Sequence, residues 1–202
     1  TGGEPTLRKE LPELVAYANR LGMRVNLITN GTRVTAALAR ELADAGLSSA
    51  QVSLEGTTET THNLVTQGNT SFRKTVASVG YFRQAGIRVH TNTTINRINL
   101  HEMPEMPGFV RRELGSERFS MNLLVPTGSA MVHPDLIVRY RDIGPWLERI
   151  KTQSEEQDVE FMWYSPTPMC MFNPITAGLG NHGCSACDGL ISIAPNGDLI
   201  PC

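Results

Sequence analysis

The sequence predicts an α/β fold in which parallel strands alternate with helices and close into a full or partial barrel. Three observations carry this expectation. Apolar runs at helical spacing alternate strictly with short strand-like runs along the chain. Glycines stand where each helix should end and turn back toward the next strand. Small polar residues gather at the strand ends: Thr29-Asn30-Gly31, Ser53-Leu54-Glu55-Gly56, Thr91-Asn92-Thr93-Thr94 and Pro126-Thr127-Gly128. A core strand seldom carries Asn with three Thr unless one of its faces meets a wet cavity. For Asn30-Gly31 and Gly56 the plainer reading is a turn at the start of a loop.

The first helix is carried by Leu7, Leu11, Leu14, Val15, Ala18 and Leu21 and stops at Gly22; Arg24 to Thr29 reads as a strand. Thr35 is positioned to cap a helix running through Ala45, with Leu38 and Leu42 on one face, Gly46 behind it and a strand at Gln51 to Leu54. Ser71 to Gln84 forms the next helix, Gly86 its end, and Ile87 to Ile95 a long strand. A helix from about His101 to Leu114 contains Pro104 and Pro107, which make its first turns irregular, and Gly115 closes it. Phe119 to Val125 is a strand, Leu136 to Gln157 a long helix and Val159 to Tyr164 a last strand. Leu190 to Ala194 and Leu199 to Pro201 flank Pro195-Asn196-Gly197-Asp198, the signature of a β-hairpin.

Composition narrows the function classes. A chain of 202 residues with 40% hydrophobic content supports one large domain, or a domain with a small appendage. No stretch approaches the roughly 18 apolar residues of a membrane span. A net charge of -2 leaves no electrostatic footprint for nucleic acid. The cluster Glu155-Glu156 with Asp158 reads as a solvated helix end. All four cysteines, Cys170, Cys184, Cys187 and Cys202, lie in the C-terminal part of the chain. Thiols gathered behind a cysteine-free body argue for metal ligation in a reducing compartment such as the cytoplasm, rather than for a disulfide framework. The hairpin would bring Cys187 and Cys202 side by side, one Cys-x-x-Cys step from Cys184.

At the other end, Thr1-Gly2-Gly3-Glu4-Pro5 combines bare backbone with a carboxylate. Carbonyls and a carboxylate are acceptors, so such a site suits an ammonium or another cation; an ordinary turn before a helix gives the same residues.

Taken in order, Thr1 to Pro5, the strand ending Leu27-Ile28-Thr29-Asn30-Gly31, and Val52-Ser53-Leu54-Glu55-Gly56 followed by His62 resemble radical S-adenosylmethionine (SAM) enzymes. The tail, Cys187 and nine residues, Gly197, four residues and Cys202, resembles the start of the SPASM extension that holds auxiliary iron–sulfur clusters. The resemblance covers essentially the whole chain. It implies a partial (β/α)6 barrel of radical SAM type over residues 1–164, missing its first βα unit, then a linker and an incomplete SPASM domain over residues 165–202. In the family a Cys-x3-Cys-x2-Cys loop holds a [4Fe–4S] cluster to which SAM chelates. None of those cysteines is in this chain, so the chain alone is expected not to cleave SAM.

Carried over by position, the resemblance implies that Gly2, Gly3 and Glu4 receive the methionyl ammonium of SAM. Ser53 would take the ribose or carboxylate side, Asn92 or Thr94 would face the cofactor, and Leu124 or Val125 would border the adenine. Relatives commonly carry Arg-Gly where this chain has Gln67-Gly68, which removes a cationic contact to the SAM carboxylate. Cys187 and Cys202 fit the SPASM positions; Cys184 and Cys170 are either further ligands or small packing residues. The implied activity is that of an oxidoreductase or maturase: SAM is cleaved to a 5′-deoxyadenosyl radical that abstracts hydrogen from the substrate, and auxiliary [4Fe–4S] clusters carry electrons. The implied substrate is a peptide or a small-molecule precursor, alternatively a tetrapyrrole-type cofactor intermediate, with flavodoxin or ferredoxin as electron donor. A reading from another class is a non-catalytic zinc-binding module with Cys184, Cys187 and Cys202 among its ligands. The Pro-rich segment from Tyr164 to Pro174 either lines the substrate mouth or acts as a rigid linker.

Overall fold

In a computed structural model, which describes residues 3–180, 189–194 and 196–200, five strands form one sheet in the order β1-β2-β3-β4-β5. The strands are β1 (Asn26–Thr29), β2 (Ser49–Ser53), β3 (Arg88–Ile95), β4 (Arg118–Leu123) and β5 (Glu160–Trp163). Every neighbouring pair is parallel. Helix α1 (Leu11–Arg20) precedes β1, and helices α2 (Ala36–Asp44), α3 (Glu59–Thr66), α4 (Ser71–Gln84), α5 (Met106–Arg112) and α6 (Tyr140–Glu156) occupy the crossovers. The result is the predicted α/β partial barrel. A two-stranded antiparallel hairpin, β6 (Ser192–Ile193) with β7 (Leu199–Ile200), follows, and its left-handed position falls on Gly197 at φ +92°.

Register separates the two faces of the sheet. Val52, Thr91, Phe119 and Phe161 are aligned across four strands, as are Met121 and Trp163 one layer on. These side chains face the helices, and Trp163, Phe119, Met121, Phe82, Leu42, Ile143 and Leu147 are among the largest fully buried residues. Phe119 and Phe161 stack with centroids 5.1 Å apart, a cross-strand pair that adds to the area it buries. The alternate residues make the opposite face, where Ser53 aligns with Asn92, Asn92 with Ser120, and Thr94 with Asn122. Polarity therefore alternates with the pleat.

The predicted returns at Gly22, Gly46, Gly86 and Gly115 all adopt positive φ, between +58° and +91°. Three elements differ from the sequence reading. The first helix starts only at Leu11, because Glu4 caps a separate 3-10 turn, Pro5–Leu7. The long helix starts at Tyr140 rather than Leu136. Arg97 is the cause: its backbone N–H takes the Leu136 carbonyl at 2.9 Å and its Nε takes that of Ile137 at 3.1 Å, so both carbonyls leave the helical pattern. Helix α3 was not anticipated at all; its buried residues are Thr61 and His62, so it shows no apolar stripe.

The Pro-rich segment stays attached to the sheet. Ser165 Oγ accepts the Leu123 N–H at 2.7 Å, the Trp163 indole donates to Thr167 at 2.8 Å, and Leu179 is buried in the core. Among the described residues no helix is long and apolar enough to cross a membrane.

Candidate functional site

Glu4, Ser53, Asn92 and Thr94, four of the predicted cofactor residues, lie on β2 and β3 or against the carboxyl end of β1. Glu4 is held there by its own side chain. Oε1 accepts from the Thr6 N–H at 3.0 Å, the Thr6 hydroxyl at 2.6 Å and the Thr29 hydroxyl at 2.6 Å, and Oε2 accepts the Asn30 N–H at 2.8 Å. Burial would raise this carboxyl, but donors on Thr29, Thr6 and Asn30 outweigh it and hold its pKa below the ordinary value. Glu4 thus fastens the N-terminal segment to the end of β1, and only Oε2 retains capacity for another donor. Beside it, Gly3 is exposed, and a Cβ added there would meet nothing within 4 Å. The protein's own packing does not require glycine at this position. Gly2 lies outside the described residues.

Ser53 ends β2 on the polar face, and Glu55 follows two residues later, past the end of the strand. Both are half-buried. The sheet ladder ends next to them, with the Leu54 N–H on the Asn92 carbonyl at 2.9 Å. Beyond that bond, side chains take over. His62 Nδ1 accepts the Glu55 N–H at 3.0 Å, Asn99 Nδ2 donates to the Glu55 carbonyl at 3.0 Å, and the Glu55 carboxyl accepts the Thr94 N–H at 2.9 Å. Burial pushes the Glu55 carboxyl up to about 7, with the Thr94 hydrogen bond opposing. The same burial pushes His62 down to about 4, so its ring is neutral, with the remaining proton on Nε2.

On β3 and β4 the predicted cofactor residues part ways. Asn92 is tied to β4: Nδ2 donates to Asn122 Oδ1 at 2.8 Å and Oδ1 accepts the Ser120 hydroxyl at 2.8 Å, leaving one N–H and one lone pair. Thr94 is half-buried on the polar face, and its hydroxyl has no partner among the described residues. Leu124 is half-buried just past β4 and donates its N–H to Ile95 at 3.0 Å, while Val125 is exposed. Gln67 is the left-handed cap of α3, at φ 53°.

Behind this wall a second carboxylate braces the loop. Glu102 Oε2 accepts from the Thr57 N–H at 2.8 Å, the Thr57 hydroxyl at 3.0 Å and the Thr58 N–H at 3.3 Å. Its Oε1 accepts from the Thr58 hydroxyl at 2.7 Å and from the Thr61 hydroxyl. Burial would raise its pKa, but the hydrogen bonds from Thr61, Thr58 and Thr57 hold it below the ordinary value. This carboxylate sits at the N-terminus of α3, where the helix dipole also favours it. A polar cavity of about 510 Å³ lies at the opposite, amino end of β4 and β5, lined by Glu117, Arg118, Ser154, Asp158 and Glu160 among others. It is remote from the predicted site residues.

Cys170 is exposed, and the described residues contain no group of three or more His, Cys, Asp or Glu side chains placed to hold a metal. Cys184, Cys187 and Cys202 lie outside the described residues. Sequence reading missed Glu55, Asn99 and Asn122 as site residues. For Glu55 and Asn122 the two-residue spacing from Ser53 and Leu124 was the available signal; for Asn99 there was none.

A parallel sheet with a largely apolar helix-facing side and a polar opposite side defines an α/β partial barrel with one polar wall. The model of the radical SAM superfamily matches residues 1–110, more than half of the chain, and the chain belongs to that superfamily. A PqqA peptide cyclase of Rhizobium meliloti is 28% identical over 206 residues, covering 100% of this chain and 53% of that protein. An AdoMet-dependent heme synthase of Nitratidesulfovibrio vulgaris is 32% identical over 149 residues, covering 72% of this chain and 40% of that protein. The chain therefore spans about half or less of these two relatives. Among solved structures, Streptococcus suis SuiB superposes over 100% of this chain and 48% of its own, with a TM-score of 0.77 at 17% identity. An anSMEcpe structure with bound AdoMet gives 0.71 at 18% identity, over 100% of this chain and 56% of its own. At these identities the superpositions establish the fold.

Proposed function

We propose that this chain is the SAM-holding barrel of a radical SAM maturase that modifies a peptide or protein. The observation that carries the reading is the extent of the relationship: similarity to the peptide cyclase runs the length of the chain, cysteine tail included, whereas the heme synthase alignment covers 72% of it. A second reading, modification of a tetrapyrrole-type cofactor precursor, rests on the higher identity of the heme synthase, 32% against 28%.

The donor set on the polar wall fits SAM. Open positions are the Ser53 hydroxyl, the Thr94 hydroxyl and the second oxygen of Glu55, none of which has a partner among the described residues. Exposed Gly3 leaves its backbone acceptor accessible to the methionyl ammonium, with Glu4 Oε2 nearby, and Gly2 joins them by its place in the motif alone. Ser53 and Glu55 take the ribose side, and Leu124 supplies apolar contact for the adenine. Asn92 serves this wall indirectly by tying β3 to Ser120 and Asn122. Held on a [4Fe–4S] cluster, whose Cys-x3-Cys-x2-Cys ligands are not among these 202 residues, SAM supplies the hydrogen-abstracting chemistry. Cys187 and Cys202, with Cys184 and Cys170 as further candidates, would hold an auxiliary cluster, which would supply a route for the electron released from substrate. Flavodoxin or ferredoxin would be the source of the initiating electron.

The test uses the full-length protein, reconstituted anaerobically with iron and sulfide, reduced, and supplied with SAM and either a candidate precursor peptide or a tetrapyrrole. Mass-shifted peptide with 5′-deoxyadenosine supports the first reading; product from the tetrapyrrole alone replaces it with the second. Stoichiometric zinc without acid-labile sulfide would overturn both.

A further inference from the structure

His62 and Asn99 grip a single residue from opposite sides. Beyond the last ladder bond of Leu54, the N–H and C=O of Glu55 have left the sheet, and each is met by a buried side chain rather than by backbone. His62 is 1% exposed and Asn99 0%. Asn99 is itself anchored: Nδ2 also donates to the Thr94 carbonyl at 3.0 Å, and Oδ1 accepts the Asn96 N–H at 2.8 Å. Since the Glu55 carboxyl accepts the Thr94 N–H, the end of β2 is pinned to the end of β3 through one residue.

The arrangement carries a cost that packing alone does not explain. His62 Nε2 is buried with no hydrogen-bond partner among the described residues, and the ring lies edge-on to Phe72 at 5.6 Å. An orphaned buried N–H is unfavourable, and a phenyl ring would fill the same space without it. What a phenyl ring lacks is the acceptor at Nδ1. The orphan is therefore explained if that acceptor has a task, and its partner is the peptide that aims Glu55.

We propose that His62 and Asn99 are positioning residues for the ligand wall, fixing the Glu55 peptide so that Ser53 and Glu55 present their side chains to SAM. This rests on the reading that the polar face at the end of β2 binds SAM. Neither residue touches the ligand; each acts through Glu55.

The experiment measures SAM dissociation constants in the reconstituted full-length protein for His62→Phe, His62→Asn, Asn99→Ala, Ser53→Ala and Glu55→Ala. Amide exchange across residues 54–57 is followed alongside. Asn keeps an acceptor close to the position of Nδ1, and Phe keeps the volume without it. Phe at 62 is expected to weaken SAM binding roughly 5- to 10-fold, the worth of about one hydrogen bond, and to speed exchange at Glu55. Asn at 62 is expected to restore both most of the way. Should the Phe variant not fold, Asn99→Ala, which releases the Glu55 carbonyl instead, carries the same comparison. Wild-type affinity in folded His62→Phe or Asn99→Ala, with Ser53→Ala and Glu55→Ala weakened, overturns the positioning role alone. Equal loss in His62→Phe and His62→Asn also overturns it. Wild-type affinity in both Ser53→Ala and Glu55→Ala overturns the ligand wall and this proposal with it.

Discussion

Glu55 and Glu102 lie in one hydrogen-bonded loop network, and burial raises the pKa of both carboxyls before their neighbours are counted. The difference is in the donors. Glu55 receives one, and stays near 7; Glu102 receives five, and falls below its ordinary value of 4.5. The two carboxyls therefore act on stability in opposite pH windows. Between 4.5 and about 7 the folded chain keeps a proton on Glu55 that the unfolded chain has lost, so its contribution declines as pH rises through that range. Glu55→Gln should flatten that part of the stability profile, as read by denaturant midpoints. Glu102 contributes above 4.5 and loses its contribution as pH falls through its depressed folded value. Replacing it with Ala strands the Thr57 and Thr58 N–H donors and should cost about 2–3 kcal/mol at neutral pH, with the difference from wild type shrinking in acid. At Gly3 the expectation is reversed: Gly3→Val should leave the melting temperature nearly unchanged, because no protein atom contests the new side chain, while weakening SAM binding at least several-fold.

Among the α-helices, α3 has the fewest apolar anchors. Thr58 caps it by accepting the Thr61 N–H at 3.2 Å while its own hydroxyl donates to Glu102, so one side chain joins the helix to the carboxylate that braces it. Thr58→Ala should cost about 1–2 kcal/mol in denaturant unfolding, the upper end of a lost cap, and should release His62 enough to accelerate exchange at the Glu55 amide. The same helix shows where sequence reasoning stopped. Helix α2 was legible because Leu38 and Leu42 share one face behind the Thr35 cap, and Leu42 is buried in the core. Helix α3 buries a hydroxyl and an imidazole, which periodicity of hydrophobicity does not register. In the site, the polar wall was legible from Asn92 and Thr94 within a strand. The commitment of Asn92 to Ser120 and Asn122 was not, because it depends on register between strands distant in sequence.

For the whole molecule, the barrel and the cysteine tail should separate experimentally. In the full-length protein, replacing both Cys187 and Cys202 with Ala should remove one auxiliary cluster, measured as lost iron and sulfide, while SAM cleavage persists and product formation stops. Wild-type turnover in that variant would assign the thiols to packing. Core truncation should act on the other side of this division: Trp163→Ala, at a site 1% exposed, should cost about 3–5 kcal/mol and abolish SAM binding only through unfolding.

The two-sided sheet also bears on how such a protein changes over evolutionary time. Side chains at alternate positions of β2 to β5 hold the helices, and those between them hold little beyond one another, apart from the Asn92–Ser120–Asn122 cluster. Substitutions at the second set outside that cluster should therefore cost folding little, as denaturant midpoints would show, which leaves the lining open to change. A scaffold divided in this way diversifies in chemistry faster than in shape, and the kinship of this chain with both a peptide cyclase and a heme synthase is the trace such change would leave.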